Sequence, residues 1–540
     1  MIDARQLTLA MVRAASVTNS DGERSFAGLL RDLIAREPYF QSHPDALSTP
    51  AIEGDPFGRS NVLAVVRGEG SSTVVLTGHY DVVSAANYGP LERFAFDPEM
   101  LTVKLIDDLR ANGRSDAELL ALADLESGDF VPGRGVLDMK SGLAAGLVAL
   151  YRFSQREDRV GNLVFLAVAD EEVQSHGARG AVAQLAALAL DVDAVINLDS
   201  SGDDGDGSDG RALYLGSVGK LLVSAYVVGI DTHAGYPLAG INPNFLLSEI
   251  AVRLECNPEL ADRRHGETAP PPTSLQQTDL KSHYDVTTPG RAWALYNVLT
   301  HGKPAQQVIE EFRVEVQAAL DQSLVTLCER AAAWGAQSSA HAVTPYVLSF
   351  GELCDAVRKR SGGQFDVDLG EFVGSLDPKL SAPDTARAVT DFVWAQSQLV
   401  GPCVVLGFGA LHYPAVLLEG QRLIARLRDT LERAREELGV TVKQRMFFAG
   451  ISDMSWFGHA DASDVAFVNL NTPSPRARIH RAPLGKPTVN LGPWGRDYHQ
   501  RLERVHAEYS FEQLPELVLR VAETLLEHSR IARQMSQSAT

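Results

Sequence analysis

Residues 72–81 read STVVLTGHYD. Aliphatic and β-branched side chains dominate the first seven positions, and these residue types favour a buried strand. His79 and Asp81 follow directly, so the strand is predicted to carry an imidazole and a carboxylate at its carboxyl end. This stretch is the first indication of both the fold and the site.

Two further apolar runs are organised in the same way. They read NLVFLAVADEE (162–172) and DAVINLDS (193–200), and they end in Glu171, Glu172 and Asp199. Helical patterns separate the runs, and strands that alternate with helices predict an α/β fold with a mostly parallel sheet flanked by helices. The carboxyl ends of such strands share the edge at which α/β proteins place their functional crevice.

Between the first two runs, residues 132–147 read PGRGVLDMKSGLAAGL and place Asp138 before a run of small apolar residues. Asp is a common N-cap, because its side chain accepts hydrogen bonds from the first free N–H groups of a helix. The other interpretation is that Asp138 faces the predicted crevice as a ligand. Taken alone, this residue leaves both interpretations open.

The composition limits the classes of partner. Lys and Arg number 49 against 69 Asp and Glu, which gives the 540 residues a net charge of −20. So acidic a chain repels nucleic acid and anionic membranes, and we expect neither as a partner. The sequence contains no uninterrupted apolar run of about 20 residues, and the pattern of residues 1–16 predicts an amphipathic helix rather than a signal peptide.

The cysteines are sparse and scattered. There are four of them, Cys256, Cys328, Cys354 and Cys403, and no two are close enough for a CxxC motif. This usage is typical of a reducing compartment, so we expect a soluble, cytoplasmic protein.

The pattern of the sequence changes near residue 216 and changes back near residue 416. We predict an inserted α+β domain over 216–415 and a first domain that is built from 1–215 and 416–540. The acidic stretch 201–210 precedes the insertion. It lacks the Gly and Glu spacing of an EF-hand, so a solvated loop is expected there.

A convergence of the strand ends would gather several carboxylates around His79. Such carboxylates repel one another and must be protonated or neutralised by cations. Two divalent ions supply a charge of +4 against the −3 of three ligating carboxylates. Carboxylate and imidazole ligands suit zinc, with cobalt or manganese as alternatives. The residues therefore predict two divalent cations about 3.5–4 Å apart, as in other two-metal sites.

A late histidine is expected to complete the ligand set. His499 follows a glycine-rich stretch in GPWGRDYHQRLERV (492–505), with Glu503 four residues further on. His480 and His506 are the alternatives.

Five motifs resemble one known family. They are GHYDVV, GVLDMKSGLAAG, VADEEVQSHGARG, NLDSSG and GRDYHQRLERV, in that order. They are similar to those of the co-catalytic zinc aminoacylases and carboxypeptidases, a family that includes acetylornithine deacetylase and succinyl-diaminopimelate desuccinylase. Within this family, the stretches 216–244 and 279–304 resemble a group of arginine-utilisation proteins. The resemblance implies a zinc-aminopeptidase-like catalytic domain with an inserted lid or dimerisation domain.

The resemblance also implies a role for each site residue. The implied metal ligands, with Asp138 as the bridge between the two ions, are His79, Asp138, Glu172, Asp199 and His499. Glu171 would be the general base and Asp81 would orient the His79 ring. His233 would polarise the substrate carbonyl, and Asn242 would support the same pocket. The peptide bond after Asp138 would be cis.

Two departures from the family pattern are present. Asp199 is followed by Ser200 where the family usually has Pro, and residues 295–303, LYNVLTHGK, lack the Arg that grips a substrate carboxylate in many members. The identity of the substrate is therefore left open.

We hypothesise that the protein hydrolyses an amide bond in a small N-acyl amino acid or short peptide, within arginine or amino-acid catabolism. A water bridging the two metals would be activated by Glu171. The alternatives are a catalytically inactive ligand-binding or regulatory protein on the same fold and a di-metal phosphoesterase. The inserted domain predicts either a homodimer or a monomer with a duplicated lid.

Overall fold

The computed structural model describes residues 3–202, 205, 210–458 and 460–538. The chain forms two compact units. The first contains Met1–Ser217, Val416–His459 and Pro483–Thr540, and the second contains Val218–Ala415 and Ala460–Ala482. Most of the acidic stretch 201–210, for which a solvated loop was predicted, lies outside the described residues.

An eight-stranded mixed sheet forms the centre of the first unit. From one edge to the other, its strands are Leu47–Ser48, Val62–Val66, Val160–Val168, Glu69–His79, Asp191–Asn197, Thr488–Asn490, Ala212–Tyr214 and Lys443–Arg445. The four strands in the middle, from Val160–Val168 to Thr488–Asn490, run parallel. The predicted α/β class is confirmed, and antiparallel pairings occur towards both edges.

Helices cover this sheet because its central strands are apolar on both faces. Strand Val160–Val168 is buried from Gly161 onward, as expected for parallel strands that lie between two helical layers. Helix Ser141–Ser154 is buried along almost its whole length. It approaches the strand ends so closely that a Cβ at Gly142 would lie 2.1 Å from the carbonyl oxygen of Leu198.

The remaining elements of the first unit are short strands and peripheral helices. The helices are Ala4–Val12, Asp21–Ile34, Pro38–Ser42, Pro98–Asn112, Asp116–Ser127, Ser141–Ser154, His176–Ala187, Gln421–Leu438, Met454–Phe457 and Leu514–Ser538. A four-stranded sheet contains, in order, Phe130–Pro132, Arg504–His506, Trp494–Arg496 and Ser201–Gly202, and Gly216–Ser217 pairs with Val416–Leu417.

A five-stranded sheet forms the centre of the second unit. Its strands, in order, are Thr273–Asp279, Arg291–Thr300, Gly219–Val228, Cys403–Phe408 and Tyr346–Ser349, and a separate pair joins Arg263–Arg264 to Glu267–Thr268. The helices are Pro243–Leu254, Ala305–Ala333, Phe350–Ser361, Gln364–Ser375, Ala382–Ser397 and Ala462–Leu470. Separate apolar clusters pack on the two faces of the sheet.

The structure differs from the sequence-based domain boundaries in one segment. Residues 460–482, expected in the first domain, belong to the second unit, because the helix Ala462–Leu470 packs Val468 into one of the apolar clusters of that unit. Glu503 directly precedes strand Arg504–His506, and the last helix, Leu514–Ser538, continues a π-helical turn over Glu508–Gln513. Among the described residues, no helix has both the length and the apolar character that a membrane crossing requires.

Candidate metal centre

Three neighbouring strands of the first unit end in acidic and imidazole side chains at the same edge. His79 is the last residue of the central one of these strands. Glu171 and Glu172 follow the strand on one side, and Asp199 follows the strand on the other side. The polar residues that the sequence places after three separate strands therefore share one edge of the sheet.

Asp138 lies at the centre of this cluster. Its Oδ1 is 3.1 Å from Nε2 of His79, and its Oδ2 is 3.1 Å from Nε2 of His499. Asp199 lies 3.9 Å from Nε2 of His79, while Glu172 lies 3.0 Å from Nε2 of His499. One carboxylate therefore faces two different groups of donor atoms, one through each oxygen.

The donor atoms are close enough to share cations. Within each of three overlapping sets, all candidate ligand atoms lie within 4.8 Å of one another; the sets are His79–Asp138–Asp199, His79–Glu171–Glu172 and Asp138–Glu172–His499.

Asp138 makes no capping hydrogen bond to helix Ser141–Ser154, so the N-cap interpretation is wrong. The Asp138–Met139 peptide bond is cis.

Asp81 ties the end of the central strand to the turn that carries the two glutamates. Its main-chain carbonyl lies 3.0 Å from Nδ1 of His79, while its carboxylate is 3.6 Å from the same nitrogen. The carboxylate accepts hydrogen bonds from the main-chain N–H groups of Glu171 and Glu172, at 3.1 and 3.3 Å, and from Thr18. Asp81 therefore positions the His79 ring and the glutamate turn together.

A buried ion network supports the other side of that turn. Asp170 has a φ of 68°, an uncommon conformation for a residue with a side chain. Arg59 donates to its carboxylate at 2.9 Å, and Glu23 accepts its main-chain N–H at 3.0 Å. Arg59 and Glu23 are themselves paired and fully buried. These partners stabilise the conformation that turns the next two residues towards the cluster.

Asp199 is positioned by a residue that the sequence did not single out. The side-chain amide of Asn490 accepts the main-chain N–H of Asp199 at 3.0 Å and donates to its carbonyl at 2.9 Å. The N–H of Ser200 donates to Oδ1 of Asp199 at 2.8 Å. A proline at position 200, as in the usual family pattern, would lack this donor, so the departure at Ser200 adds a contact to the carboxylate.

Burial makes the cluster poorly suited to negative charge alone. It raises the pKa of Asp199 to about 8, with Asp138 adding to the effect. The pKa of Glu171 is raised well above its ordinary value by burial and by Asp453 and Glu172. Without cations, these acids retain protons, which is the behaviour of carboxylates that lack a neutralising charge.

The imidazoles respond in the opposite direction. Burial disfavours the charged ring of His499, but hydrogen bonds to Asp138 and Glu172 raise its pKa to about 10. The pKa of His79 is also raised, because Asp138 and Asp81 outweigh its burial. The pKa of Asp138 is lowered, because contacts with both imidazoles outweigh its burial. These pKa shifts favour protonated imidazoles beside charged carboxylates, and a divalent cation bound to the same groups would displace those protons.

Asp453 is a further acid that sequence reasoning missed. It is completely buried, and burial raises its pKa to about 7, with Asp81 and Asp170 adding to the effect. Its neighbour Ser452 accepts a hydrogen bond from Asn197 at the end of a central strand. Asp453 follows a loop instead of a predicted strand, so the pattern that identified the other acids could not identify it.

The remaining candidate histidines do not join the cluster. His480 lies in the second unit and contacts the carbonyl of Pro475. The ring of His506 packs edge-on against Phe130 and at a tilt against Trp494. Of the three late histidines, all of which are described, only His499 belongs to a group of candidate ligand atoms.

The two residues predicted to contact substrate lie in the second unit. His233 is exposed, and its Nδ1 accepts the N–H of Gly235 at 3.0 Å. Asn242 caps helix Pro243–Leu254 by accepting the N–H of Asn244. Their roles in substrate binding stay predictions.

An α/β sheet that presents carboxylates and imidazoles at its strand ends is an arrangement suited to a metal-dependent hydrolase. Residues 118–484 match the peptidase family M20/M25/M40. This match spans more than half of the chain, so the chain belongs to that family and is a hydrolase by membership. The family expected from the five motifs is confirmed.

Two curated relatives from Bacillus subtilis (strain 168) match nearly the whole chain. The uncharacterized protein YqjN is 31% identical over 98% of this chain and 97% of its own length. Protein RocB is 29% identical over 97% of this chain and 95% of its own length. A succinyl-diaminopimelate desuccinylase from Paracoccus denitrificans is 27% identical over 55% of this chain and 67% of its own length.

A solved structure supports the fold. A tripeptidase from Staphylococcus aureus matches with a TM-score of 0.52 and 14% identity, over 97% of this chain and 98% of that one. At this identity the similarity shows a shared fold.

Proposed function

We propose that the protein hydrolyses an amide bond in a small N-acyl amino acid or short peptide, and that it uses two divalent cations to do so. The observation that carries this proposal is the position of Asp138. Its two carboxylate oxygens face two different sets of donors, His79 with Asp199 and His499 with Glu172. A carboxylate placed in this way could contribute one oxygen to each of two cations.

The donor set fits zinc best, with cobalt and manganese as alternatives. Two imidazoles and three carboxylates are mixed nitrogen and oxygen donors of the kind zinc accepts. Their three negative charges are close to balance with two divalent cations. When bound, such cations acidify water and polarise a carbonyl group.

Glu171 is the proposed general base. It lies at the rim of the ligand cluster, with its carboxylate 4.0 Å from Nε2 of His79, and burial raises its pKa. A carboxyl group with a raised pKa can take a proton from the attacking water and return it to the leaving amine. Its neighbour Glu172 contacts His499 and is the proposed ligand.

The substrate class rests on the relatives. The succinyl-diaminopimelate desuccinylase is named for removal of an acyl group, and the tripeptidase for cleavage of peptides. The resemblance of 216–244 and 279–304 to arginine-utilisation proteins supports a role in amino-acid catabolism. Four free cysteines support a cytoplasmic location.

The test combines metal binding with an assay panel. Metal-free protein is titrated with Zn²⁺, Co²⁺ or Mn²⁺, and each form is incubated with N-acetyl and N-succinyl amino acids, dipeptides and tripeptides. We expect two equivalents of metal and hydrolysis of at least one amide class. Asp138→Asn is expected to abolish both, whereas the exposed control Asp129→Asn retains both.

Two outcomes would contradict the proposal. Two bound metals without hydrolysis of any amide would favour a ligand-binding protein on the same fold. Binding of a single equivalent by the unsubstituted protein would reject the bridging role of Asp138.

We also propose that two copies associate through strand Thr273–Asp279. This strand is at the edge of the second unit's sheet, and in the described part of the chain it pairs on one side only, with Arg291–Thr300. Leu275 is 61% exposed on it. The opposite edge strand is protected, because Arg313 donates to the carbonyl of Val347 at 2.7 Å. Open edges favour pairing with another chain. A monomer with a duplicated lid is the alternative.

A further inference from the structure

A buried ion pair lies directly behind two of the proposed ligands. Arg134 and Glu503 are paired and almost completely inaccessible to solvent, with side chains 1% and 0% exposed. They come from segments 369 residues apart, and neither was assigned a role from the sequence. Both side chains also make hydrogen bonds to main-chain groups of the loops that carry Asp138 and His499.

The two oxygens of Glu503 have different partners. Oε1 accepts the main-chain N–H of Gly135 at 2.8 Å, with those of Leu137 and Asp138 at 3.3 and 3.4 Å. Oε2 accepts from Arg134. One oxygen thus holds the turn that carries the bridging carboxylate, and the other holds the guanidinium.

Arg134 continues the connection to the second imidazole. Its Nη2 donates to the main-chain carbonyl of His499 at 3.2 Å and to the side-chain oxygen of Asn87 at 2.8 Å. Asn87 donates to the same carbonyl of His499 at 2.8 Å. Two donors therefore converge on one main-chain oxygen of the proposed ligand.

His499 needs this support more than the other ligands. His79 ends a central strand and is buried, whereas His499 lies in a loop, has a side chain 42% exposed and adopts a φ of 63°. A left-handed conformation is uncommon for a residue with a side chain. The position of its imidazole therefore depends on contacts outside regular secondary structure.

We propose that Arg134, Glu503 and Asn87 are positioning residues that fix His499 relative to Asp138 and thereby set the affinity of one cation position. That position is the one formed by Asp138, Glu172 and His499. The position formed by His79, Asp138 and Asp199 depends on the strand ends instead. The inference rests on the proposed function only in treating the cluster as a two-cation centre.

Glu503→Gln separates the two contacts of Glu503. The glutamine oxygen can still accept hydrogen bonds from the N–H groups of the 135–138 turn. Its amide nitrogen would face the Arg134 guanidinium, and the hydrogen bond between these two side chains is lost because both groups are donors. We expect the first equivalent of Zn²⁺ to bind as in the unsubstituted protein. The second equivalent is expected to bind about 10- to 100-fold more weakly, the usual range for loss of a group that supports a ligand.

Asn87→Ala is the second variant. Asn87 is exposed, so its loss is well tolerated by the fold, and it contacts the His499 carbonyl without touching the Asp138 turn. The second equivalent is again expected to weaken while the first is retained. This variant decides the inference if Glu503→Gln does not fold.

Asp124→Asn is the matched control. Asp124 is a buried acid that accepts hydrogen bonds from Arg496 and Arg504, so it resembles Glu503 in charge and burial but does not touch a proposed ligand. Its substitution is expected to lower the melting temperature without changing either binding constant.

The measurement is calorimetric titration of each metal-free protein with Zn²⁺, with bound metal counted after equilibrium dialysis. Unchanged binding of the second equivalent in Glu503→Gln and Asn87→Ala would overturn the inference. Equal weakening of both equivalents would also overturn it, because it would show a general loss of structure. Failure of every amide assay would reject the proposed function but would leave these binding constants as the deciding result.

Discussion

Two adjacent glutamates occupy the same turn but have different surroundings. The main-chain N–H groups of Glu171 and Glu172 both donate to Asp81, so the turn is fixed at both residues. The Glu172 carboxylate contacts His499, whereas the Glu171 carboxylate lies near His79 and Asp453. These different surroundings are the basis for the proposed roles of Glu172 as a ligand and Glu171 as the general base.

Glu171→Gln is expected to lower kcat by about 10²- to 10⁴-fold, the usual contribution of a general acid–base group. The substitution keeps the shape of the side chain and removes its titratable proton. Bound metal, counted by atomic emission, is expected to stay at the level of the unsubstituted protein. Glu172→Gln is the control and is expected to lose metal together with turnover. Full turnover in Glu171→Gln would reject its role as the base.

His412 predicts a pH dependence that is independent of the metal centre. It is completely buried in the second unit, and burial lowers its pKa to about 4, although Asp464 lies 3.7 Å from its Nε2. In the unfolded chain, the pKa of this histidine returns to its ordinary value of about 6.5. Between pH 6.5 and pH 4, the unfolded chain therefore binds more protons than the folded protein. Within this window, stability is expected to fall as pH falls, by up to about 1.4 kcal/mol per pH unit.

The measurement is the difference in unfolding free energy between the unsubstituted protein and His412→Asn, by urea denaturation at pH values from 4.5 to 7.5. The substitution removes the titrating ring and leaves the other acids and bases in place. The two pH profiles are expected to diverge below pH 6.5. Parallel profiles would show that the pKa of His412 is the same in the folded and unfolded states and would contradict this prediction.

At the scale of elements, the turn between strand Phe130–Pro132 and helix Ser141–Ser154 determines where Asp138 lies. Gly135 has a φ of 75° in this turn, and a Cβ there would lie 2.3 Å from Cγ1 of the buried Val82. Glycine meets both requirements, since it adopts positive φ freely and has no Cβ. A glycine at position 135 is therefore a structural requirement of the turn that carries Asp138.

Gly135→Ala is expected to weaken metal binding and to lower the melting temperature. Gly128→Ala is the matched control, because Gly128 has a φ of 81° and its Cβ would meet no packed neighbour within 4 Å among the described residues beyond the adjoining chain. The control is expected to cost about 1 kcal/mol, from backbone conformation alone, and to bind metal normally. Equal effects of the two substitutions would show that the contact with Val82 does not matter.

The elements also show which features were predictable. Apolar runs that end in acids or histidine identified His79, Glu171, Glu172 and Asp199, because a parallel sheet brings its strand ends to one edge. The same reasoning could not identify Asn490 or Asp453, which reach the site through pairing and loop contacts from distant segments. Long-range partners of this kind leave no periodic pattern in the sequence.

At the scale of the molecule, the second unit interrupts the first at neighbouring points. Strand Gly216–Ser217, where the chain leaves the first unit, pairs antiparallel with Val416–Leu417, where it returns. The chain leaves again after residue 458, and Gly485 donates to the carbonyl of Gly458 when it comes back. The second excursion was not expected from the sequence, because 460–482 is short and its pattern does not indicate which unit it packs against.

Self-association is a property of the whole molecule. Gln276→Pro removes a main-chain donor in the middle of the open edge strand, and proline is poorly compatible with strand pairing. We expect a dimer for the unsubstituted protein and a monomer for Gln276→Pro, by light scattering coupled to gel filtration. Gln276→Thr, which changes the same side chain but keeps the N–H, is the matched control and is expected to stay dimeric. A monomeric unsubstituted protein would favour the duplicated lid.

The pairing of strand Thr488–Asn490 with Asp191–Asn197 joins residues that are far apart in the order of synthesis. Asn490 contacts Asn197 across 293 positions of the chain, and His499 comes later still. During translation, the ribosome must therefore produce the entire second unit before His499, the last imidazole of the cluster, emerges. A nascent chain that stalls before this point carries the acids Asp138, Glu171, Glu172 and Asp199 without His499, so the cluster is complete only after residue 499 has been added.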